Sequence, residues 1–215
     1  MNKNKIRIGI TLRVENIEKY NENRDAISQE WTSFIEKFDG IPIFIPNTLS
    51  NTKSFLDELN LDGIILSGGD NFGENKNRDE TEIESIKFGI TEKIPILGIC
   101  RGMQVLNNFF GGSIVISDKK EHVGVKHEIS IVDKEIERLY SVKKRNVNSY
   151  HNNLILKPNL GQELKIFAKS ISDDTIEGFM HESLPIFGVM WHPEREENSE
   201  EELKLMKIFQ RTKKG

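Results

Sequence analysis

The chain has 215 residues, 36% hydrophobic and 30% charged, with a net charge of −4, as expected of an ordinary globular protein. This length suits one α/β domain over residues 1–215 better than two. Lys and Arg are dispersed and balanced by acids, which argues against a nucleic-acid partner. No apolar run approaches the ~20 residues that cross a bilayer, so no membrane role is expected. Residues 1–5 are polar and run straight into Ile6-Arg7-Ile8-Gly9-Ile10, without the apolar core of a signal peptide. The single Cys has no partner for an internal disulfide, so a cytoplasmic location is expected.

In chain order, apolar strands alternate with helical stretches. Residues 7–12 read as a strand. Residues 25–38 read as a helix, with Ala26, Trp31, Phe34, Ile35 and Phe38 near helical spacing. A short strand at 41–45 ends at Pro46, and a short helix follows at 52–59. Residues 63–66 are a wholly apolar strand that runs into Ser67-Gly68-Gly69-Asp70. A helix at 81–92, a strand at 94–99 and a helix at 101–110 complete this half, and Gly111-Gly112 stops the last helix.

Residues 113–162 are polar and irregular, with a strand-like piece at 125–132. Lys143-Lys144-Arg145 reads as a solvated turn. Strands are expected at 164–169, 175–180 and 185–191, the last two as a hairpin, and a helix at 200–211. Residues 71–79 and 117–126 read as loops near strand ends. The pattern predicts a three-layer α/β fold: a mostly parallel central sheet with helices on both faces, and a small antiparallel portion in the second half.

The chemistry centres on Pro95-Ile96-Leu97-Gly98-Ile99-Cys100-Arg101-Gly102-Met103-Gln104. An apolar strand stops at Cys100 and a helix begins at once, with glycines two residues to either side. This is the spacing of a nucleophile elbow, a strand-to-helix turn too tight for neighbouring side chains. Such a turn lifts the sulfur above the sheet edge and sets it at a helix N-terminus, whose partial positive charge favours a thiolate. The bland alternative, a buried structural Cys, does not account for the flanking glycines.

A cysteine nucleophile needs a base. Of His122, His127, His151, His181 and His192, only His192 ends a strongly apolar strand, in Phe187-Gly188-Val189-Met190-Trp191-His192-Pro193-Glu194. Strand ends face the ligand crevice of open α/β sheets. Glu194 can turn back to hold the other ring nitrogen, as the third member of a triad does. His122 and His127 lack further ligands at metal-site spacing, so neither a metal nor another cofactor is expected.

Four segments, Ser67-Gly68-Gly69-Asp70, Gly98 through Gln104, Asn148-Ser149-Tyr150-His151-Asn152 and Trp191-His192-Pro193-Glu194, together resemble the class I glutamine amidotransferase-like family, in its free-standing γ-glutamyl hydrolase (peptidase C26-like) branch. The resemblance spans nearly the whole chain. It implies an amidohydrolase that cleaves a linear γ-glutamyl amide through a cysteine thioester. Cys100 would attack, His192 would move the proton and Glu194 would orient His192. Backbone N–H groups of Gly69 and Arg101 would form the oxyanion hole. Gln104, Asn148, Ser149, Tyr150 and His151 would surround the glutamyl amino and carboxyl groups. On the residues alone, Gly68-Gly69 is equally a plain turn, and the alternative for His151 is a satisfied loop residue.

Arg101 stands where synthase-coupled glutaminases carry an apolar residue, and no synthase domain follows before Gly215; both features resemble the stand-alone hydrolases. The segments at Gly9-Ile10-Thr11-Leu12-Arg13, Asn23 through Trp31 and Asp174 through Phe179 are similar to γ-glutamyl-CDP-amidate hydrolases of capsule phosphoramidate synthesis. Those release glutamate and a cytidine diphosphoramidate. A pyrophosphate group wants Arg or Lys near the strand ends; Arg13, Arg24 and Lys126 qualify, and each reads equally well as a solvated charge. Phe72 or Tyr150 offers an aromatic face for a base. The alternatives are a γ-glutamyl-GABA-type hydrolase and the glutaminase subunit of a two-chain amidotransferase. The expected partner is a small γ-glutamyl substrate, with the chain a monomer or homodimer.

Overall fold

The computed structural model describes residues 5–117, 122–196, 200–207 and 209. Nine strands form the central sheet, in the order β4 (Gly40–Ile45), β1 (Ile6–Thr11), β5 (Gly63–Leu66), β6 (Ile96–Ile99), β13 (Ile186–Val189), β12 (Ile176–His181), β11 (Leu164–Ser170), β8 (Val123–Ile131) and β9 (Lys144–Tyr150). The pairings from β4 through β13 are parallel. Those from β13 to β9 are antiparallel, and β12 and β13 pair as the expected hairpin. β5 and β6 are buried along their whole length, which explains their unbroken apolar runs.

Side chains alternate between faces along a strand, and the glycines show what each face meets. A Cβ on Gly89 of α3 (Lys76–Glu92) would lie 2.7 Å from Ile96, and one on Gly102 of α4 (Arg101–Phe109) would lie 2.7 Å from the Leu66 Cβ. Gly63, of opposite parity to Ile64 and Leu66, would meet the Phe209 ring. Phe209 stacks on Phe38 at 6.5 Å, directly after α1 (Glu30–Lys37). Thus α3 and α4 cover one face of the parallel half, and α1 with the C-terminal segment covers the other.

Several expectations need correction. The helix expected at 25–38 exists only as α1; residues 22–26 form β3 (Glu22–Ala26), paired with β2 (Arg13–Ile17) in a separate hairpin. β3 is almost wholly exposed, so apolar periodicity has nothing to report there. Its end is fixed by Asp25, which accepts hydrogen bonds from the Asn47 N–H (2.9 Å) and Nδ2 (2.7 Å). The loop expected at 71–79 is half helix: α3 starts at Lys76, where the Asn75 side chain caps the Arg78 N–H.

The stretch expected to be irregular holds α5 (Lys134–Tyr140), capped by Asp133, as well as β9. Lys144 and Arg145 belong to β9 rather than to a solvated turn. Arg145 is buried, ion-paired with Glu201 and Glu202, with its guanidinium 4.2 Å from the Tyr140 ring centroid. Burial pushes the Tyr140 hydroxyl far above its usual range. The loop expected at 117–126 is already β8 from Val123, and its residues 118–121 lie outside the described residues. The C-terminal helix α6 spans Glu200–Met206; residues 208, 210 and 211 of the expected helix lie outside the described ones. A two-residue pair joins β7 (Val115–Ile116) to β10 (Asn153–Leu154), and α2 is Thr52–Asp57. Among the described residues, no helix is long and apolar enough to cross a membrane.

Candidate active site

β5, β6 and β13 lie side by side and parallel, so their C-terminal ends open at one sheet edge. Gly68 and Gly69 follow β5, Cys100 follows β6 and His192 follows β13. Sheet topology alone therefore brings together three segments far apart in sequence.

Cys100 has φ +50° and ψ −103°, a backbone conformation that costs a non-glycine residue ~1–3 kcal/mol. The packing around it enforces the turn. A Cβ on Gly98 would lie 2.5 Å from the Gly102 carbonyl oxygen, and one on Gly102 would lie 2.1 Å from the Leu66 oxygen. Both flanking glycines are thus demanded by close backbone approach. The Cys100 N–H donates to Val189 O at 2.8 Å, locking the elbow to β13.

His192 Nδ1 lies 2.8 Å from Glu194 Oε1, and the ring and Cys100 meet beside Gly68. A Cβ on Gly68 would sit 2.8 Å from His192 Cε1 and 3.6 Å from Cys100 Cβ, so any larger residue would push the imidazole out of place. Burial by itself would lower the His192 pKa, but the hydrogen bonds and charges of Cys100 and Glu194 outweigh it and raise it to about 9. Asn148 fixes the His192 backbone in both directions: His192 N–H donates to its Oδ1, and its Nδ2 donates to His192 O, each at 2.8 Å.

A buried ionic network supports the glycine turn. Arg78, with no exposed surface, donates to the carbonyls of Ser67 (3.1 Å) and Gly68 (2.8 Å), and to Asp70 and Glu82. Arg101 donates to Glu82 and Asp79. Thr11 joins the same carboxylate at 3.0 Å and accepts from the Ser67 N–H at 3.0 Å. Burial holds the Asp79 carboxyl above its usual range, against the opposing Arg101 charge. The network clamps the 67–70 turn, α3 and the start of α4 into one rigid unit.

Residues 7–194 match the peptidase C26 family. The chain belongs to that family. It is 37% identical over 196 residues to the gamma-glutamyl-CDP-amidate hydrolase of Campylobacter jejuni, covering 88% of this chain and 90% of that protein. It is 35% identical over 153 residues to a glutamine-hydrolysing GMP synthase subunit of Pyrococcus abyssi, covering 70% and 74%. Among solved structures, a GMP synthase subunit protein from Thermoplasma acidophilum superposes with a TM-score of 0.74 at 25% identity, covering 97% of this chain and 94% of that one.

The remaining sequence-selected residues of this peptidase C26 chain divide sharply. A cleft of about 340 Å³ beside Cys100 is lined by Gly69, Gln104, Tyr150, His151, Asn153 and Arg195, among others. Gln104 is buried there, with its Oε1 3.5 Å from Asn153 Nδ2. Asn148 and Ser149 do not reach the cleft with their side chains: Asn148 is spent on His192 and Ser149 donates to His122 O at 2.6 Å. The Arg101 guanidinium points into the α3 carboxylates, which removes it as a direct clue to the leaving group. Arg24 is exposed and paired with Glu22 on the hairpin, not at the cleft. Lys126 is exposed and paired with Glu196 at 3.1 Å. Phe72 borders a different hollow, with Ile116.

The fold also supplies what spacing does not, since it gathers His151 and Glu177 around His122 and His127. His122, His151 and Glu177 hold ligand atoms within 4.8 Å of one another. Both His122 nitrogens are engaged, by Asp173 (2.8 Å) and His127 (3.1 Å). Among the described residues, His127 Nε2, His151 Nε2 and Glu177 Oε2 are buried there without a hydrogen-bond partner, whereas a structural zinc site takes four ligands. Burial lowers the His151 pKa, and its Nδ1 lies 3.0 Å from Asn153 O. Arg78 and Arg195 are the contributors that sequence reasoning passes over. Arg78 falls in an expected loop, whereas Arg195 is in plain view beside Glu194.

Proposed function

We propose that this chain hydrolyses a γ-glutamyl amide by nucleophilic catalysis, with γ-glutamyl-CDP-amidate as its substrate. The observation that carries this is Cys100 and the His192–Glu194 hydrogen-bonded pair, brought together at adjacent strand ends behind a glycine-enforced elbow. Support for the substrate comes from the 37% identity, over most of both chains, to the Campylobacter enzyme of that name.

In the proposed reaction the Cys100 thiolate adds to the γ-carbonyl carbon. The oxyanion is received by the Gly69 and Arg101 backbone N–H groups. The latter begins α4, where N–H groups lack intrahelical partners, and the former lies in the turn held by Arg78. Protonated His192 gives its proton to the amide nitrogen, the C–N bond breaks, and the amine leaves a glutamyl thioester. Neutral His192 then takes a proton from water as that water attacks the thioester. Glutamate leaves, and the thiolate and imidazolium are restored. Glu194 keeps the Nδ1 tautomer and orientation throughout. Gln104, His151 and Asn153 line the side of the cleft proposed to hold the glutamyl head.

A second proposal, a glutaminase subunit that feeds ammonia to a synthase, draws on the similarity to the glutamine-hydrolysing GMP synthase subunit of Pyrococcus abyssi. The test is to incubate purified protein alone with γ-glutamyl-CDP-amidate, γ-glutamyl-GABA and glutamine, and to measure glutamate release. Release from the first, abolished in Cys100→Ala with the fold intact, is expected. Release from γ-glutamyl-GABA alone would overturn the substrate, activity only with an added synthase would favour the second proposal, and an active Cys100→Ala would overturn the mechanism.

A further inference from the structure

Resting on the proposed amide hydrolysis, we infer that Arg13 and Arg195 form a phosphate-reading subsite that selects an anionic, diphosphate-type leaving group. The two arginines come from opposite ends of the chain and meet in one narrow cleft of about 40 Å³ with Gly68, Gly69, Trp31 and His192. Arg13 packs on the glycine turn: a Cβ on Gly69 would lie 3.1 Å from its Cδ. Arg195 lies on the other side, one residue past Glu194, with its guanidinium 4.4 Å from the Tyr150 ring centroid.

The proton path assigns the two sides of Cys100. His192 must reach the leaving nitrogen, and it borders two clefts, of which the one beside Arg13 lacks Gln104, His151 and Asn153; with the glutamyl head on the Gln104 side, the leaving group is assigned to the other. The narrow cleft is on that side, and it shares Ser28, Glu194 and Arg195 with a much wider hollow of about 750 Å³ that also reaches Gln29 and Lys37. The nitrogen fits the narrow part, and a diphosphate with its nucleoside needs the wide one. Arg195 also borders the cleft beside Cys100, so it stands where the phosphoryl group next to the scissile bond must pass.

The arginine chemistry fits an anion. Among the described residues, the one acid that Arg195 approaches is Glu194, at a long 3.8 Å, and the near oxygen of Glu194 is already bound to His192. Stacking on Tyr150 holds the guanidinium plane and leaves its fork for a phosphate. Arg13 has a buried Nε without a partner among the described residues, while its Nη2 is paired with half-exposed Glu15. That exposed pair is weak enough for a phosphate to displace. Of the acids nearby, Glu30 lines the wide hollow, and Glu196 is already paired with Lys126 and hydrogen-bonded by Asn148. A neutral or cationic leaving amine would find two arginines facing it and gain nothing from either.

Two measurements test this. The first is the ratio of kcat/KM for γ-glutamyl-CDP-amidate to that for γ-glutamyl-p-nitroanilide, a neutral-leaving substrate. In Arg195→Ala and Arg13→Ala this ratio should fall about ten- to a hundredfold, the weight of a charge-assisted hydrogen bond, and Arg195→Lys should recover part of it. An equal loss on both substrates, or an unchanged ratio, overturns the subsite. The second is calorimetric binding of CDP to Cys100→Ala, which needs no turnover. Binding that weakens about tenfold or more in the added Arg195→Ala or Arg13→Ala background is expected; no binding, or binding indifferent to both arginines, overturns it. Arginine-dependent CDP binding by a protein that cleaves no γ-glutamyl amide would leave the subsite standing and sink the proposed reaction instead.

Discussion

Gly102→Ala tests whether packing under the elbow sets the nucleophile. The added methyl would lie 2.1 Å from the Leu66 carbonyl oxygen and 2.7 Å from both its carbonyl carbon and Cβ. These are backbone-anchored atoms of a fully buried strand, so no side chain can swing aside. Ordinary contact then requires α4 to retreat from β5 by about 1 Å. Alanine is the better helix former by about 1 kcal/mol, while overpacking a close-packed site costs about 1–3 kcal/mol. A 2.1 Å approach to backbone belongs at the top of that range, so the clash wins and a net loss of about 2 kcal/mol is expected. The larger effect is on chemistry. Cys100 lies two residues from the pushed atom and must keep its place relative to His192 and the glycine turn. A misplacement near 1 Å costs on the order of a hundredfold. The assay is kcat/KM for γ-glutamyl-CDP-amidate, alongside the iodoacetamide alkylation rate of Cys100, which is free of background because the chain has one Cys, and thermal unfolding. A variant with parental stability and turnover would refute the claim that close backbone approach sets the elbow.

Glu194→Gln removes a partner that raises His192. Burial opposes that rise, yet the pKa stands at about 9 against 6.5. A raised pKa means the native state favours the imidazolium, so this contribution to stability is complete below about pH 6.5 and is lost as pH climbs through about 9. The variant should therefore be most destabilised at and just below about pH 6.5 and converge on the parent above about pH 9, with the alkaline limb of kcat/KM moved to lower pH; an unmoved limb would sink the assignment. Arg78→Ala strips Glu82 and Asp70 of a buried counter-charge and frees the Ser67 and Gly68 carbonyls. It should cost about 3–5 kcal/mol in urea unfolding, and a loss under about 1 kcal/mol would show the network to be ornamental. Asn148→Ala releases both ends of the His192 peptide and should cost about 1–3 kcal/mol with a fall in kcat; kcat unchanged would show that Trp191 and Pro193 suffice to hold the ring.

Where order comes from apolar burial or short-range steric demand, it is legible in the sequence. β5 and β6 are four-residue apolar strands because both faces are covered, and their character needs no neighbour to interpret. The elbow is legible for a related reason, since two glycines around Cys100 mark backbones in contact. His192, Pro193 and Glu194 place an imidazole and its carboxylate two residues apart, and the fold brings them within 2.8 Å of each other.

Elements ordered by ion pairs and capping are hidden from such a reading. The first turn of α3 is polar and reads as loop until Arg78 finds Glu82, Asp70 and the Ser67 and Gly68 carbonyls. Arg145 reads as solvated until Glu202 covers it. The β2–β3 hairpin has little buried surface, and polar contacts such as Asp25 with Asn47 and the Val14 N–H with Asp70 anchor its ladder. Charge carries no periodicity, because its partners lie at irregular separations, from 4 residues for Arg78–Glu82 to 57 for Arg145–Glu202. Only the tertiary structure could therefore turn Arg101 away from the cleft, spend Asn148 and Ser149 on the backbone, and set Arg195 beside Arg13. Local chemistry chose the nucleophile and its base; the long-range pairing of buried charges decided which arginines remain free to meet a ligand.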